Sequence, residues 1–166
     1  RSRGQSNPYS IPRAPYVDPN TQIVYQVNDA EVEGWLTKQS MWLKDWRRRY
    51  FILKGSKLFF SKNEYSSPHG MIDLAQCTTV KSADLKSSKR FSFEISTPET
   101  TYLLFADNEK EKDDWIGSVG RSIVRCSGTF QSKEYGTSQS HGYDQDTNGY
   151  DSDDFSNSSN NPYFND

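Results

Sequence analysis

Lys38, Arg47 and Arg49 are the residues whose type and spacing most suggest chemistry. Side chains alternate between the two faces of a strand. Arg47, Arg49, Phe51 and Leu53 therefore share one face of the run Trp46–Leu53, and Leu36 and Lys38 share one face of the run Glu33–Lys38. Folding these runs into an antiparallel hairpin about Trp42–Leu43 sets Lys38 opposite Arg47 and Leu36 opposite Arg49, and opposed residues point the same way. The shared face then carries Leu36, Phe51 and Leu53 at its deep end and Lys38, Arg47 and Arg49 at its loop end. Like charges brought together destabilise a sheet, so the cluster needs a reason. One is a solvated basic edge that discourages strand-to-strand aggregation. The other is an anion site, where the arginine fork suits phosphate and lysine adds a mobile point charge.

The hairpin tip carries a second signal. Met41, Trp42 and Leu43 are three large apolar residues in a row, next to Lys44. Exposed apolar patches usually mark an interaction, and Trp suits the boundary between headgroups and acyl chains. The tip reads either as packing or as a wedge that enters a membrane beside the cations.

The elements that must position these residues are short strands and one helix. After the hairpin come Lys57–Lys62, Gly70–Leu74, Gln76–Lys81, Arg90–Ile95 and Thr101–Phe105, each bounded by turn residues, which predicts a seven-stranded antiparallel sandwich or barrel. Asn108-x-x-Glu111 is a capping box, with Asp107 as a competing cap, and Trp115, Ile116, Val119 and Ile123 form one apolar stripe of the helix that follows, ended by Gly128. Residues 1–30 contain Pro8, Pro12, Pro15 and Pro19 and read as extended or disordered, although Gln22–Val27 is β-prone enough to pack on the domain. Residues 31–127 form the domain. Residues 128–166 are an acidic, low-complexity tail that reads as disordered.

Gly34-Trp35-Leu36-x-Lys38, Trp46-Arg47-Arg48-Arg49-Tyr50-Phe51-Ile52-Leu53 and the helix carrying Trp115 together resemble a pleckstrin homology (PH) domain over about Val32 to Ser127. The helix segment Ala106–Ile116, followed by Gly120–Val124, is similar to the small single-PH proteins of plants, of the PH-domain-containing protein one type. The resemblance implies that the helix closes one end of the barrel. It also implies that Lys38, Arg47 and Arg49 grip an inositol phosphate, with Lys44 assisting from the loop. Arg48 has the wrong parity and belongs on the outer face, while Lys57 and Lys62 add field. Relatives selective for the trisphosphate lipid place a Tyr where Phe60 stands, so the resemblance favours a monophosphorylated lipid, phosphatidylinositol 3-phosphate first. It implies a cytoplasmic protein, peripheral on endomembranes (endosomal) or plasma membrane. The same fold also hosts peptide-binding adaptors with little lipid affinity, which add a strand to a sheet edge.

Charge and composition narrow the classes. Lys38–Lys62 holds eight Lys/Arg and one acid, residues 31–127 hold 16 against 13, and residues 128–166 hold one against seven. Basic charge confined to one mouth argues against nucleic acid. The acidic tail suggests a segment that competes with lipid for the mouth, and both tails offer routes to protein partners. His69 and His141 lie near no nucleophile signature, and no phosphate loop, zinc spacing or calcium loop is present, so neither an enzyme nor a cofactor is expected. Cys77 and Cys126 read as reduced thiols, no run spans a bilayer, and a chain opening on Arg1 reads as a fragment or a processed end.

Overall fold

A computed structural model describes residues 12–127. In chain order they form β1 (Tyr16–Val17), β2 (Val24–Tyr25), β3 (Val32–Gln39), β4 (Trp46–Lys54), β5 (Lys57–Ser61), β6 (Gly70–Asp73), β7 (Thr79–Ser82), β8 (Ser92–Ser96), β9 (Thr101–Phe105) and α1 (Glu109–Cys126). Seven strands make one antiparallel sheet in the order β6-β5-β4-β3-β9-β8-β7, while β1 and β2 form a separate ribbon. The sheet folds over on itself, so that Leu36, Phe51, Phe60, Phe93, Leu104 and Trp115 meet in one buried cluster.

β3 joins the two halves. It pairs with β4 from Val32 to Gln39 but with β9 only at Thr37–Phe105 and Lys38–Leu104. Trp115 of α1 is packed against the other end of β3, where a Cβ added to Gly34 would meet its ring at 3.7 Å. An aromatic side chain of that size makes a large contribution to the core. The fold is the mainly β, helix-capped sandwich that the sequence predicts.

The helix forms where its cap and stripe place it. Asn108 Oδ1 accepts the Glu111 N–H at 2.9 Å. Trp115, Val119 and Ile123 are buried, with Ile116 at the edge of the stripe. Asp107 is not the cap; it pairs with Arg48. Lys112 is buried on the same stripe, a position the apolar pattern does not predict. Its ammonium lies 2.7 Å from both Asp84 and Glu109, and burial of a lysine is tolerable when it is paired in this way. Lys112 and the Ser92 N–H hold the Asp84 carboxyl down to about 2. Ser127 caps the last turn through the Ile123 and Val124 carbonyls. The predicted stop at Gly128 and the acidic tail lie outside the described residues.

Three boundaries differ from the sequence reading. Leu74–Gln76 is a 3-10 turn capped by Asp73, so the strand predicted from Gln76 begins at Thr79. The strand predicted from Arg90 begins at Ser92, because Phe91 takes a positive φ of 60° that no strand accommodates. Residues 12–30, read as largely extended or disordered, instead fold back over the outer face of the sheet. Tyr16 and Val27 are buried there with Tyr50, Ile52 and Phe59, and the Tyr16 and Tyr25 rings lie 5.5 and 5.8 Å from Phe59.

Candidate functional site

The register that parity predicts is the one present: Lys38 pairs with Arg47 and Leu36 with Arg49. The three cations lie toward the Gln39–Trp46 end of the hairpin, but at different depths. Lys38 is 2% exposed, with its ammonium 5.0 Å from the centre of the Phe60 ring. A cation over an aromatic face is stabilised by the ring quadrupole. Arg47 and Arg49 are half-buried. Lys38 thus forms the floor, and the arginines form the wall above it.

Phe60 is fixed from several sides. Its ring lies 5.5 Å from Phe51 and meets His69 edge-on at 5.2 Å. It also covers Gly70, its partner on β6, where an added methyl would overlap the ring. Gly70 therefore serves a close approach. The β5–β6 loop, residues 62–69, starts and ends beside this floor.

The hairpin turn is closed by its own polar groups. Ser40 N–H donates to the Asp45 carbonyl at 2.8 Å, and Gln39 Nε2 donates to the Lys44 carbonyl at 3.1 Å. Ser40 Oγ donates to one Asp45 carboxylate oxygen, and Arg47 Nε donates to the other at 3.1 Å. The Ser40 hydroxyl, and then Arg47, hold the Asp45 carboxyl below its ordinary value. Lys44 takes a left-handed φ of 58° and stands exposed on the turn.

At the tip, Trp42 is 81% and Leu43 73% exposed. Met41 does not join them; it packs back against the core. Of the three residues read as packing or as a wedge, two stand exposed and Met41 anchors the turn to the core. Flexible Met side chains fill irregular gaps of this kind.

The flanking lysines separate. Lys62 follows β5 at the mouth end. Lys57 sits at the opposite end of β5 and meets Asp73 at 2.8 Å, so the field it was expected to add falls elsewhere. Arg48 lies on the outer face, as its parity requires. It makes two bonds to Asp107, at 2.8 and 2.9 Å, and stacks 5.3 Å from the Trp35 ring centre.

A cleft of about 410 Å³ opens elsewhere, between the ribbon, β6 and the Thr97–Thr100 turn. Asp18, Asp73 and Glu99 line it, a charge that repels phosphate. Among the described residues, no group of three or more His, Cys, Asp or Glu side chains could hold a metal ion, and no helix is long and apolar enough to cross a membrane. The mouth is suited to binding a compact polyanion.

Sequence reasoning missed Arg13. Its guanidinium makes two bonds to Glu33, at 2.7 and 2.6 Å, and its Nε donates to the Glu64 carbonyl at 2.9 Å. Tyr50 Oη donates to the same Glu33 at 2.8 Å. Arg13 holds Glu33 below the ordinary carboxylate range, and burial, together with Glu33, raises Tyr50. No local pattern announces a pairing between residues 20 and 51 positions apart.

Comparison with known proteins is consistent with this geometry. The PH-domain family profile matches residues 30–124. The chain is 44% identical over 113 residues to pleckstrin homology domain-containing protein 1 of Arabidopsis thaliana, covering 64% of this chain and 78% of that protein. It is 36% identical over 102 residues to a PH domain-containing protein of Dictyostelium discoideum, but spans only 22% of that protein's length. Among solved structures, the C-terminal PH domain of pleckstrin in complex with D-myo-Ins(1,2,3,5,6)P5 aligns with a TM-score of 0.50 and 31% identity, covering 57% of this chain and 95% of that one.

Proposed function

The chain belongs to the PH-domain family, and on that premise we propose that it is a non-enzymatic phosphoinositide-binding module that brings its protein reversibly to membranes. The observation that carries this reading is the Lys38–Arg47 cross-strand pair, with Arg49 beside it, under a tip whose Trp42 and Leu43 are solvent-exposed. Phosphate is the ligand for which such a group is made. Arg47 and Arg49 supply planar forks, and the Lys38 ammonium supplies a point charge from below. Lys44 reaches the same ligand from the turn. The inositol pentakisphosphate held by the related pleckstrin domain supports a headgroup of this class.

Two modest terms combine at the membrane. Each basic residue near an anionic leaflet contributes about 1 kcal/mol, and burial of Trp42 and Leu43 contributes roughly 25 cal/mol per Å² of apolar area. Neither alone gives stable attachment, whereas together they give reversible recruitment. Phe60 is buried beneath the Lys38 ammonium and carries no hydroxyl to bond a further phosphate, which favours a singly phosphorylated lipid, phosphatidylinositol 3-phosphate first, and hence endosomal membranes.

Co-sedimentation with vesicles carrying singly and multiply phosphorylated phosphoinositides tests the reading. The intact chain is expected to pellet most strongly with phosphatidylinositol 3-phosphate and to lose that binding in Arg47→Ala/Arg49→Ala. Pelleting that the double substitution leaves intact would overturn the site. No pelleting with any phosphoinositide would favour a peptide-binding adaptor.

A further inference from the structure

We infer that Arg13 is a positioning residue for the headgroup site, and that the strap formed by residues 12–30 belongs to the binding unit although the family match begins at residue 30. The inference rests on the phosphoinositide reading above and adds a determinant to the same site.

Four bonds tie the strap to β3 and to the β5–β6 loop beside the mouth. Arg13 Nε donates to the carbonyl of Glu64, inside the β5–β6 loop, at 2.9 Å, while its two terminal nitrogens hold Glu33 on β3. Ser67 Oγ, three residues further along the loop, donates to the Pro15 carbonyl at 3.1 Å. Within the loop, Asn63 Oδ1 accepts the Tyr65 and Ser66 N–H groups at 2.9 Å. The loop has its own turn, but it is fastened to the domain through the strap at Glu64 and again at Ser67.

That loop begins one residue after Ser61 and ends at His69, whose ring rests on Phe60, the ring that supports the Lys38 ammonium. A loop fastened at this point presents Lys62 and His69 at one place beside the floor. A loop released from Arg13 samples other positions, and binding weakens by the fraction of time it spends away from the competent one. The Arg13 junction is itself well supported: the side chain is 16% exposed, and its guanidinium lies 5.5 Å from the Tyr50 ring centre, with Tyr50 bonded to the same Glu33. A fork that bonds a carboxylate twice and a loop carbonyl once fixes orientation as well as contact.

The experiment compares the full chain, Arg13→Ala, Ser67→Ala and Arg47→Ala/Arg49→Ala on two vesicle types: phosphatidylcholine with a few per cent phosphatidylinositol 3-phosphate, and phosphatidylcholine with phosphatidylserine only. Amide hydrogen exchange of the free proteins reports the loop. Arg13→Ala is expected to bind the phosphoinositide vesicles about tenfold more weakly, with less than about a twofold change on phosphatidylserine vesicles. Its amides from 62 to 66 should exchange faster, while those of β4 and β8 stay protected. Should protection be lost throughout in Arg13→Ala, Ser67→Ala, which leaves Arg13 and Glu33 in place, is expected to show the same selective loss at about two- to threefold. Unchanged phosphoinositide affinity in folded Arg13→Ala and Ser67→Ala, or equal losses on both vesicle types, overturns the inference alone. Phosphoinositide binding that survives Arg47→Ala/Arg49→Ala, or no binding by the full chain, overturns the site reading and the inference with it.

Discussion

Arg48 and Arg49 are neighbours on β4, yet they serve opposite sides of one sheet. Arg48 faces outward, is matched by both oxygens of Asp107 and lies against Trp35. Arg13, on the same outer face, is matched by both oxygens of Glu33. Arg49 faces the mouth with Arg47 and Lys38, and the turn above them contains a single carboxylate, Asp45. Arg48 and Arg13 each meet a two-bond carboxylate partner and hold neighbouring elements in place, Arg13 holding the β5–β6 loop as well. Arg47 donates to Asp45 at 3.1 Å, and Arg49 donates to the Arg48 carbonyl at 3.0 Å. Strand parity decides which face of the sheet each arginine serves.

This contrast can be broken by experiment. The largest effect belongs to the inner face: Arg47→Ala/Arg49→Ala should weaken binding to phosphatidylinositol 3-phosphate vesicles by about a hundredfold or more, since hydrogen bonds to charged groups contribute roughly 1.5–3 kcal/mol each. The melting temperature should change far less than binding does, since both side chains stand at the loop end of the hairpin. A matching drop in melting temperature would place these residues with the structural arginines.

The tip comes next. Trp42→Ala should reduce vesicle binding about tenfold, from the apolar area no longer buried, and leave stability unchanged within about 0.5 kcal/mol. Met41→Ala should do the reverse, costing stability first, because Met41 packs on the core. Chemical denaturation and vesicle binding of the two variants together show whether the wedge has two members or three.

On the outer face, Arg48→Ala should alter vesicle binding by less than about twofold and lower stability by at most about 1 kcal/mol, the usual range for an exposed ion pair. A large binding loss there would place Arg48, which is bonded to Asp107 rather than to the β5–β6 loop or the strap, with the residues that serve binding.

The smallest effect is in pH. Glu33 is held below its unfolded value by Arg13, and Asp84 is held at about 2 by Lys112. Carboxyls lowered in the fold stabilise it above their unfolded values and cease to do so as pH falls through the folded ones. Unfolding free energy should therefore be level near neutrality and decline below about pH 4. In Arg13→Ala that decline should be shallower, which denaturant melts at several pH values would show.

How far the sequence discloses this arrangement depends on the range of the forces involved. Lys38, Arg47 and Arg49 could be placed together because a period of two and one turn determine their facing pairs. Asn108 and Glu111 mark the helix start because the capping interaction is local. Lys112 could not be placed on a buried stripe, since its acceptability depends on Asp84, 28 residues away. Arg13 was hidden among prolines that break regular structure, and its partners are distant in the chain. Met41 and Trp42 carry the same signal in sequence, and only the path of the turn separates the one that packs inward from the one that faces water.

The strap also bears on where this domain can be cut. Pruning the chain at residue 30, where the family match begins, would strip the cover from Tyr50, Ile52 and Phe59 and leave Glu33 without its guanidinium. An interior seam would become an apolar outer wall of the sheet, a surface prone to self-association. The shorter protein would then pellet by clumping as well as by binding lipid, and a sedimentation assay alone would confuse the two.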